Sequence, residues 1–231
     1  MGVNDQYCTN VQILPVQNGD FVAQMEVVLD TYKYPYDPLY PVLCMDESPK
    51  QLIAETRLPV PPKPGKLARY DYEYSRKGVC NIFIATEPLM GKRIVRVTAR
   101  RTKQDWAKFL VDIKRHYRHA EKITLVMDNL NTHKPGSLYE TFNPREAKTL
   151  LDRFEFVYTP KHGSWLNMAE IELRFLSNQC LNRRIESIME VRRQVGVWEK
   201  ERNNKEVVIN WRFTTDDARI KLKRLYPSFC D

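Results

Sequence analysis

The sequence predicts an α/β fold: a mixed five-stranded sheet flanked by helices, with extra helices at the C-terminus. Three observations carry this. Two segments, Pro41 to Asp46 and Ile123 to Asp128, are apolar without polar alternation, the pattern of strands buried on both faces. Val79 to Thr86 and Arg93 to Thr98 read as antiparallel partners around the turn signal Pro88 to Gly91. After them, helical and strand-like segments alternate.

Element by element, Phe21, Val22, Met25, Val28 and Leu29 share one helical face over residues 19–31, before the turn Tyr34-Pro35-Tyr36-Asp37-Pro38. Leu58 to Gly65, rich in proline, is an extended loop rather than a linker, because strand-like sequence resumes after it. Thr102, with Asp105 three residues on, caps a helix whose Trp106, Phe109, Leu110, Ile113 and Tyr117 recur at helical spacing. A short helix follows Asn143-Pro144, and Arg153 to Tyr158 is a further strand. The loop Thr159 to Ser164 leads into one long helix from about Trp165 to Arg183. Helices over about 188–203 and 216–225 complete the chain. Three strands in a meander followed by alternating helices and strands is the element order of ribonuclease-H-like folds. The expected organisation is an N-terminal helical segment and linker over 1–39, a catalytic core over 40–185, and a helical extension over 186–231 packed on it.

The 231 residues carry 42% hydrophobic and 29% charged residues, enough for a substantial core and unlike collagen, a coiled coil or a disordered chain. Apolar runs are far too short to span a bilayer. The N-terminus lacks the basic-then-apolar pattern of a secretory signal, so a cytoplasmic protein is expected. Thirty-seven basic against 29 acidic residues give a net charge of +8. That excess suits a polyanion partner, although many proteins without one are as basic. The five cysteines form no Cys-x-x-Cys pair and have no His at zinc spacing, which points to reduced thiols and against structural zinc.

Asp46 and Asp128 each end an apolar strand, where open α/β sheets place ligands. Two carboxylates held together there repel unless protonated or bridged by a cation, and oxygen donors favour Mg²⁺ or Mn²⁺. Turn formation accounts for either aspartate taken alone. On the helix after residue 165, Leu166, Ala169, Leu173, Leu176 and Cys180 form an apolar stripe. Glu170 and Glu172 flank it symmetrically, so periodicity does not choose between them as a third carboxylate. Ile171 and Phe175 on the opposite side predict that this helix is covered twice.

Val42-Leu43-Cys44-Met45-Asp46-Glu47-Ser48, Val126-Met127-Asp128-Asn129-Leu130-Asn131-Thr132-His133 and Tyr158-Thr159-Pro160-Lys161-His162-Gly163-Ser164-Trp165-Leu166-Asn167-Met168-Ala169-Glu170 resemble the three catalytic blocks of DDE transposases. The nearest group is the insertion sequence 630 family, bacterial relatives of the mariner transposases. The resemblance runs from about residue 20 to the C-terminus. It implies Glu170 as the third carboxylate, through the pattern Leu-Asn-x-x-Glu. It further implies a Mg²⁺-dependent polynucleotidyl transferase in which Asp46, Asp128 and Glu170 hold two Mg²⁺ or Mn²⁺ ions. The reaction would be cleavage at transposon ends and strand transfer into target DNA, usually at TA. Partners would be DNA and a second copy or a full-length transposase, in the bacterial cytoplasm at the nucleoid.

Two departures stand out. Forty-one residues separate Asp128 from Glu170, which predicts a helical insertion within 136–151. Too few residues precede Asp46 for the helix-turn-helix module usual in such enzymes. An inactive remnant that binds DNA or pairs with full-length transposase without cleaving it is therefore the competing expectation.

Around the motifs, Lys161 is expected to contact DNA. His162 is open between DNA contact and none, and Asn129, Asn131 and His133 between water or DNA contact and turn hydrogen bonding. Trp165 reads as a core aromatic before a base-stacking one. Among the basic runs Lys92-Arg93, Arg100-Arg101-Thr102-Lys103 and Arg183-Arg184, the stretch with Arg100, Arg101 and Lys103 is the preferred DNA backbone contact. A charge run is otherwise a solvated face.

Overall fold

The computed structural model describes residues 17–57, 60–67 and 71–228. Cys8 and Cys230 lie outside them, while Cys44, Cys80 and Cys180 are free and buried. The elements run α1 (Gly19–Thr31), β1 (Val42–Glu55), β2 (Tyr74–Glu87), β3 (Lys92–Thr98), α2 (Lys103–His116), β4 (Ile123–Met127), α3 (Gly136–Tyr139), α4 (Pro144–Leu151), β5 (Phe154–Tyr158), α5 (Ala169–Leu176), α6 (Ile188–Asn204) and α7 (Thr215–Lys221). The five strands form one sheet in the order β3-β2-β1-β4-β5. β1 to β3 pair antiparallel, whereas β4 is parallel to both β1 and β5. This is the mixed five-stranded sheet flanked by helices that the element order predicts, and the stretch 136–151 is helical, as α3 and α4.

Strand side chains alternate between two cores. Cys44, Ile82, Ile84, Val126 and Val157 face α1, α5 and α6, with Phe21, Met25, Leu176 and Trp198 among their neighbours. Leu43, Met45, Phe83, Leu125 and Met127 face α2 and α4, against Trp106, Phe109, Leu110 and Ala147. The apolar face predicted for α1 is buried throughout. The capping box of α2 forms as predicted, with Thr102 and Asp105 each satisfying the other's backbone N–H. Side chains of α6 cover the outer edge of β3. Glu199 accepts from the Val95 N–H at 3.0 Å, and Asn203 accepts from and donates to the Arg93 backbone at 2.7 and 2.8 Å. These contacts occupy ladder groups that an edge strand would otherwise expose.

Three expectations need correction. β1 does not end at Asp46. It runs on to Glu55, because β2 continues to pair with it after parallel pairing with β4 stops at Cys44. Beyond that point no described strand pairs with its other side, and Pro49 is tolerated on an edge. The long helix expected from Trp165 to Arg183 is broken. A 3-10 turn at Ser164–Leu166 gives way to extended backbone at Asn167, then α5, then a π-helical turn at Ser177–Leu181. Finally, α5 is covered twice only in part: Ile171 packs into the core, but Phe175 is 42% exposed, with the Arg202 guanidinium over its ring. Among the described residues, no helix is long and apolar enough to cross a membrane.

Candidate metal centre

The site forms where the sheet narrows. Met45 is buried on the α2 side, so Asp46 points to the α5 side and Glu47 back toward α2. Asp128 follows the last residue of β4. Glu170 sits in the first turn of α5, exposed to solvent. Asn167 sets where that helix starts: its buried amide donates to the Met45 carbonyl of β1 at 2.8 Å, and its oxygen accepts the Ala169 N–H at 3.1 Å. One side chain thus ties the β1 backbone next to Asp46 to the turn that carries Glu170.

Asp46 lies within electrostatic reach of both Asp128 and Glu170. Burial, above all, pushes the Asp46 carboxyl up to about 7. The Glu47 N–H, 2.8 Å from Asp46 Oδ1, opposes the rise, while the charges of Glu47, Asp128 and Glu170 add to it. A half-shielded carboxylate facing further negative charge is a site that a hard dication would relieve. The donor set therefore fits Mg²⁺ or Mn²⁺.

Glu172, which periodicity could not separate from Glu170, has a different environment. Its side chain is fully buried between Arg93 of β3 and Arg202 of α6, with Oε1–Nη2 2.8 Å and Oε2–Nε 2.7 Å. Two guanidinium groups already neutralise it. Arg93, expected among the DNA-contacting basic runs, is buried because it serves this pair, and Lys92 pairs with Glu206 at 2.9 Å.

Behind Asp128 lies a second layer that the sequence did not reveal as such. His133 is fully enclosed, with Nδ1 2.6 Å from Asp128 Oδ1 and Nε2 3.2 Å from Glu47 Oε2. Its ring stacks on Trp106 with centroids 5.7 Å apart. Burial disfavours the imidazolium, but the two carboxylates outweigh burial and raise the group to about 9. Donor atoms of Glu47, Asp128 and His133 lie within 4.8 Å of one another, a spacing that also suits a cation. One ring nitrogen faces each carboxylate, so a protonated His133 would place a positive charge between them. Strand alternation and the His five residues after Asp128 were the available signals.

The expected DNA contacts divide. Lys161 and His162 are exposed in the tight turn before α5, where His162 adopts φ +65° and the Gly163 N–H bonds the Pro160 carbonyl. Arg100 is exposed after β3. Arg101 instead reaches Glu47 Oε1 at 3.2 Å, Lys103 pairs with Glu140 at 2.8 Å, and the exposed Asn129 accepts from Lys134. Trp165 packs edge-on to Phe213 against the core.

The family model for the DDE superfamily endonuclease matches residues 41–192, a stretch holding Asp46, Asp128 and Glu170. No curated protein sequence matches the chain. Among solved structures, the fold is similar to the Mos1 strand transfer complex (15% identity, TM-score 0.57), covering 89% of this chain and 59% of that one. It is also similar to the Mos1 transposase paired-end complex with left transposon end (14%, TM-score 0.53), covering 82% and 59%. A Mos1 mariner paired-end complex with Mn is matched at 15% and TM-score 0.53, covering 80% and 58%. The chain thus spans less than two thirds of the Mos1 chains and shares the architecture of their ribonuclease-H-like catalytic domain. With about two thirds of its length inside the family model, it belongs to the DDE superfamily of endonucleases.

Proposed function

We propose that the chain is the catalytic domain of a mariner-related DNA transposase of the insertion sequence 630 kind, acting by phosphoryl transfer with Asp46, Asp128 and Glu170 as ligands of two Mg²⁺ or Mn²⁺ ions. The observation that carries this reading is the half-buried Asp46 carboxyl at the centre of the sheet, pushed up to about 7 and within reach of the charges of Asp128 and Glu170. Family membership and the Mos1 likeness support it. The bound ions would supply activation of the attacking hydroxyl and stabilisation of the leaving oxygen.

The chain's own residues provide placement. Asp46 is fixed by strand pairing on its β2 side, and Glu170 is positioned through Asn167. Lys161, His162 and Arg100, exposed near α5 and β3, are the residues we assign to the DNA backbone, where each neutralised phosphate adds salt-sensitive affinity. Arg101, Lys103 and Asn129 would have to leave their present partners to join them. A homodimer, or pairing with a full-length transposase, would bring two transposon ends together for joining at TA.

The test is incubation of the purified chain with Mg²⁺ or Mn²⁺ and a labelled duplex carrying the element's terminal sequence. Nicking is expected, and Asp128→Asn should abolish it while leaving the circular dichroism spectrum intact. Equal nicking by Asp128→Asn would refute the assignment. Salt-sensitive binding without cleavage would support the remnant reading instead.

A further inference from the structure

We infer that Glu47 and His133 are positioning residues for the metal centre, a carboxylate–imidazole pair that fixes the orientation of Asp128; this rests on the reading of Asp128 as a ligand of a divalent cation. Asp128 follows the end of β4, where no ladder hydrogen bond holds its backbone in register with a neighbour. Its side chain is 26% exposed and would be free to change rotamer but for His133, whose Nδ1 lies 2.6 Å from Oδ1. That contact engages Oδ1 and leaves Oδ2 as the oxygen His133 does not take up.

His133 has three further contacts. Its Nε2 meets Glu47 Oε2 at 3.2 Å, and its ring lies against Trp106. Its backbone carbonyl accepts from the Tyr158 hydroxyl at 2.8 Å. Glu47 is itself held by strand β1 and by Arg101 at 3.2 Å. The chain of contacts Arg101–Glu47–His133–Asp128 therefore runs from the β3–α2 junction, through β1, to the ligand. Glu47 and Asp46 are neighbours on one strand but point to opposite faces. A single rigid element consequently presents one carboxylate to the cation and uses the next to fix the other ligand. Ligand-orienting groups of this kind typically contribute ten- to a hundred-fold to metal affinity.

The experiment is Mn²⁺ titration by calorimetry and electron paramagnetic resonance on the intact chain, well below its melting transition. It compares the wild type, Glu47→Gln, His133→Gln, the double variant and Asp46→Asn. Glu47→Gln, nearly isosteric, keeps the test usable if His133→Gln fails to fold. Each relay variant is expected to bind Mn²⁺ roughly 10- to 100-fold more weakly with an altered Mn²⁺ spectrum. The double variant should be no worse than His133→Gln alone, because Glu47 acts through His133. Variants that lose thermal stability yet bind Mn²⁺ as the wild type does would reduce the pair to a structural ion bridge and overturn the inference. Independent, multiplicative losses would also overturn it. If Asp46→Asn binds as tightly as wild type, or the wild type takes up no Mn²⁺, the metal reading itself fails and the relay falls with it.

Discussion

Arg93 Nη2 lies 2.8 Å from Glu172 Oε1, and neither side chain reaches solvent. Arg93 also donates to the carbonyls of Gly91 and Val207, so one guanidinium joins the β2–β3 turn, α5 and the segment after α6. Removing Arg93 leaves Glu172 with Arg202 as its one guanidinium partner and takes the donor from the Gly91 and Val207 carbonyls. Arg93→Ala is expected to destabilise the fold by about 3–5 kcal/mol in urea unfolding. Arg202→Ala, at the more accessible end, should cost less; equal losses would contradict this ranking.

Glu172 also predicts a pH dependence. Burial pushes its carboxyl up, but hydrogen bonds from Arg202 and Arg93, with their charges, prevail and hold it below its ordinary 4.5. The folded state therefore binds this proton less readily than the unfolded chain. The resulting stability is fully present above 4.5 and disappears as pH falls through the lowered folded value. Wild type should exceed Glu172→Gln by its full margin near about pH 7, with the margin shrinking under acid. Urea titrations across that range would reject the assignment if the margin stayed constant or grew.

At the metal centre, Mg²⁺ or Mn²⁺ should raise the melting temperature in proportion to the logarithm of its concentration. About a hundred-fold excess over the dissociation constant corresponds to roughly 2.7 kcal/mol. Asp46→Asn should abolish that shift. Without metal the same variant should melt higher than wild type, since it removes a shielded charge that Glu47, Asp128 and Glu170 oppose. A thermal-shift assay reads both effects, and a metal-free variant less stable than wild type would contradict the second.

Gly91 closes the β2–β3 turn at φ +61°, and a Cβ there would lie 2.5 Å from the Glu206 carbonyl carbon. Gly78 also has positive φ, +101°, but opens onto free space. Gly91→Ala is expected to cost about 1–3 kcal/mol and to exceed Gly78→Ala, since only the former combines backbone strain with a clash. Thermal melts of the two variants give the comparison.

Legibility in the sequence followed the range of the interactions. α1 and α2 could be read because their apolar spacing, and in α2 the cap, are local. The extent of β1 could not. Past Cys44, among the described residues, β2 is the strand that pairs with it, and Ser48-Pro49-Lys50 carries no strand signature. Glu170 and Glu172 are equivalent by helical angle; what separates them are Arg93 and Arg202, 79 and 30 residues from Glu172. Glu47 stood beside Asp46 in plain view, yet its role depends on His133, contributed by a different connection. The break before α5 depends on Asn167 reaching a carbonyl 122 residues away.

The end of parallel pairing at Cys44 has a consequence for how such enzymes can vary. From there onward the polypeptide between Asp128 and Phe154 lies outside the ladder, and α3 and α4 are accommodated there without disturbing any strand. Closing a longer excursion costs only a logarithmic increment of entropy. The interval between Asp128 and Glu170 along the chain can thus change without any strand moving. A shorter or longer excursion can therefore leave the sheet as it is, so comparing such chains by residue count alone would mislead.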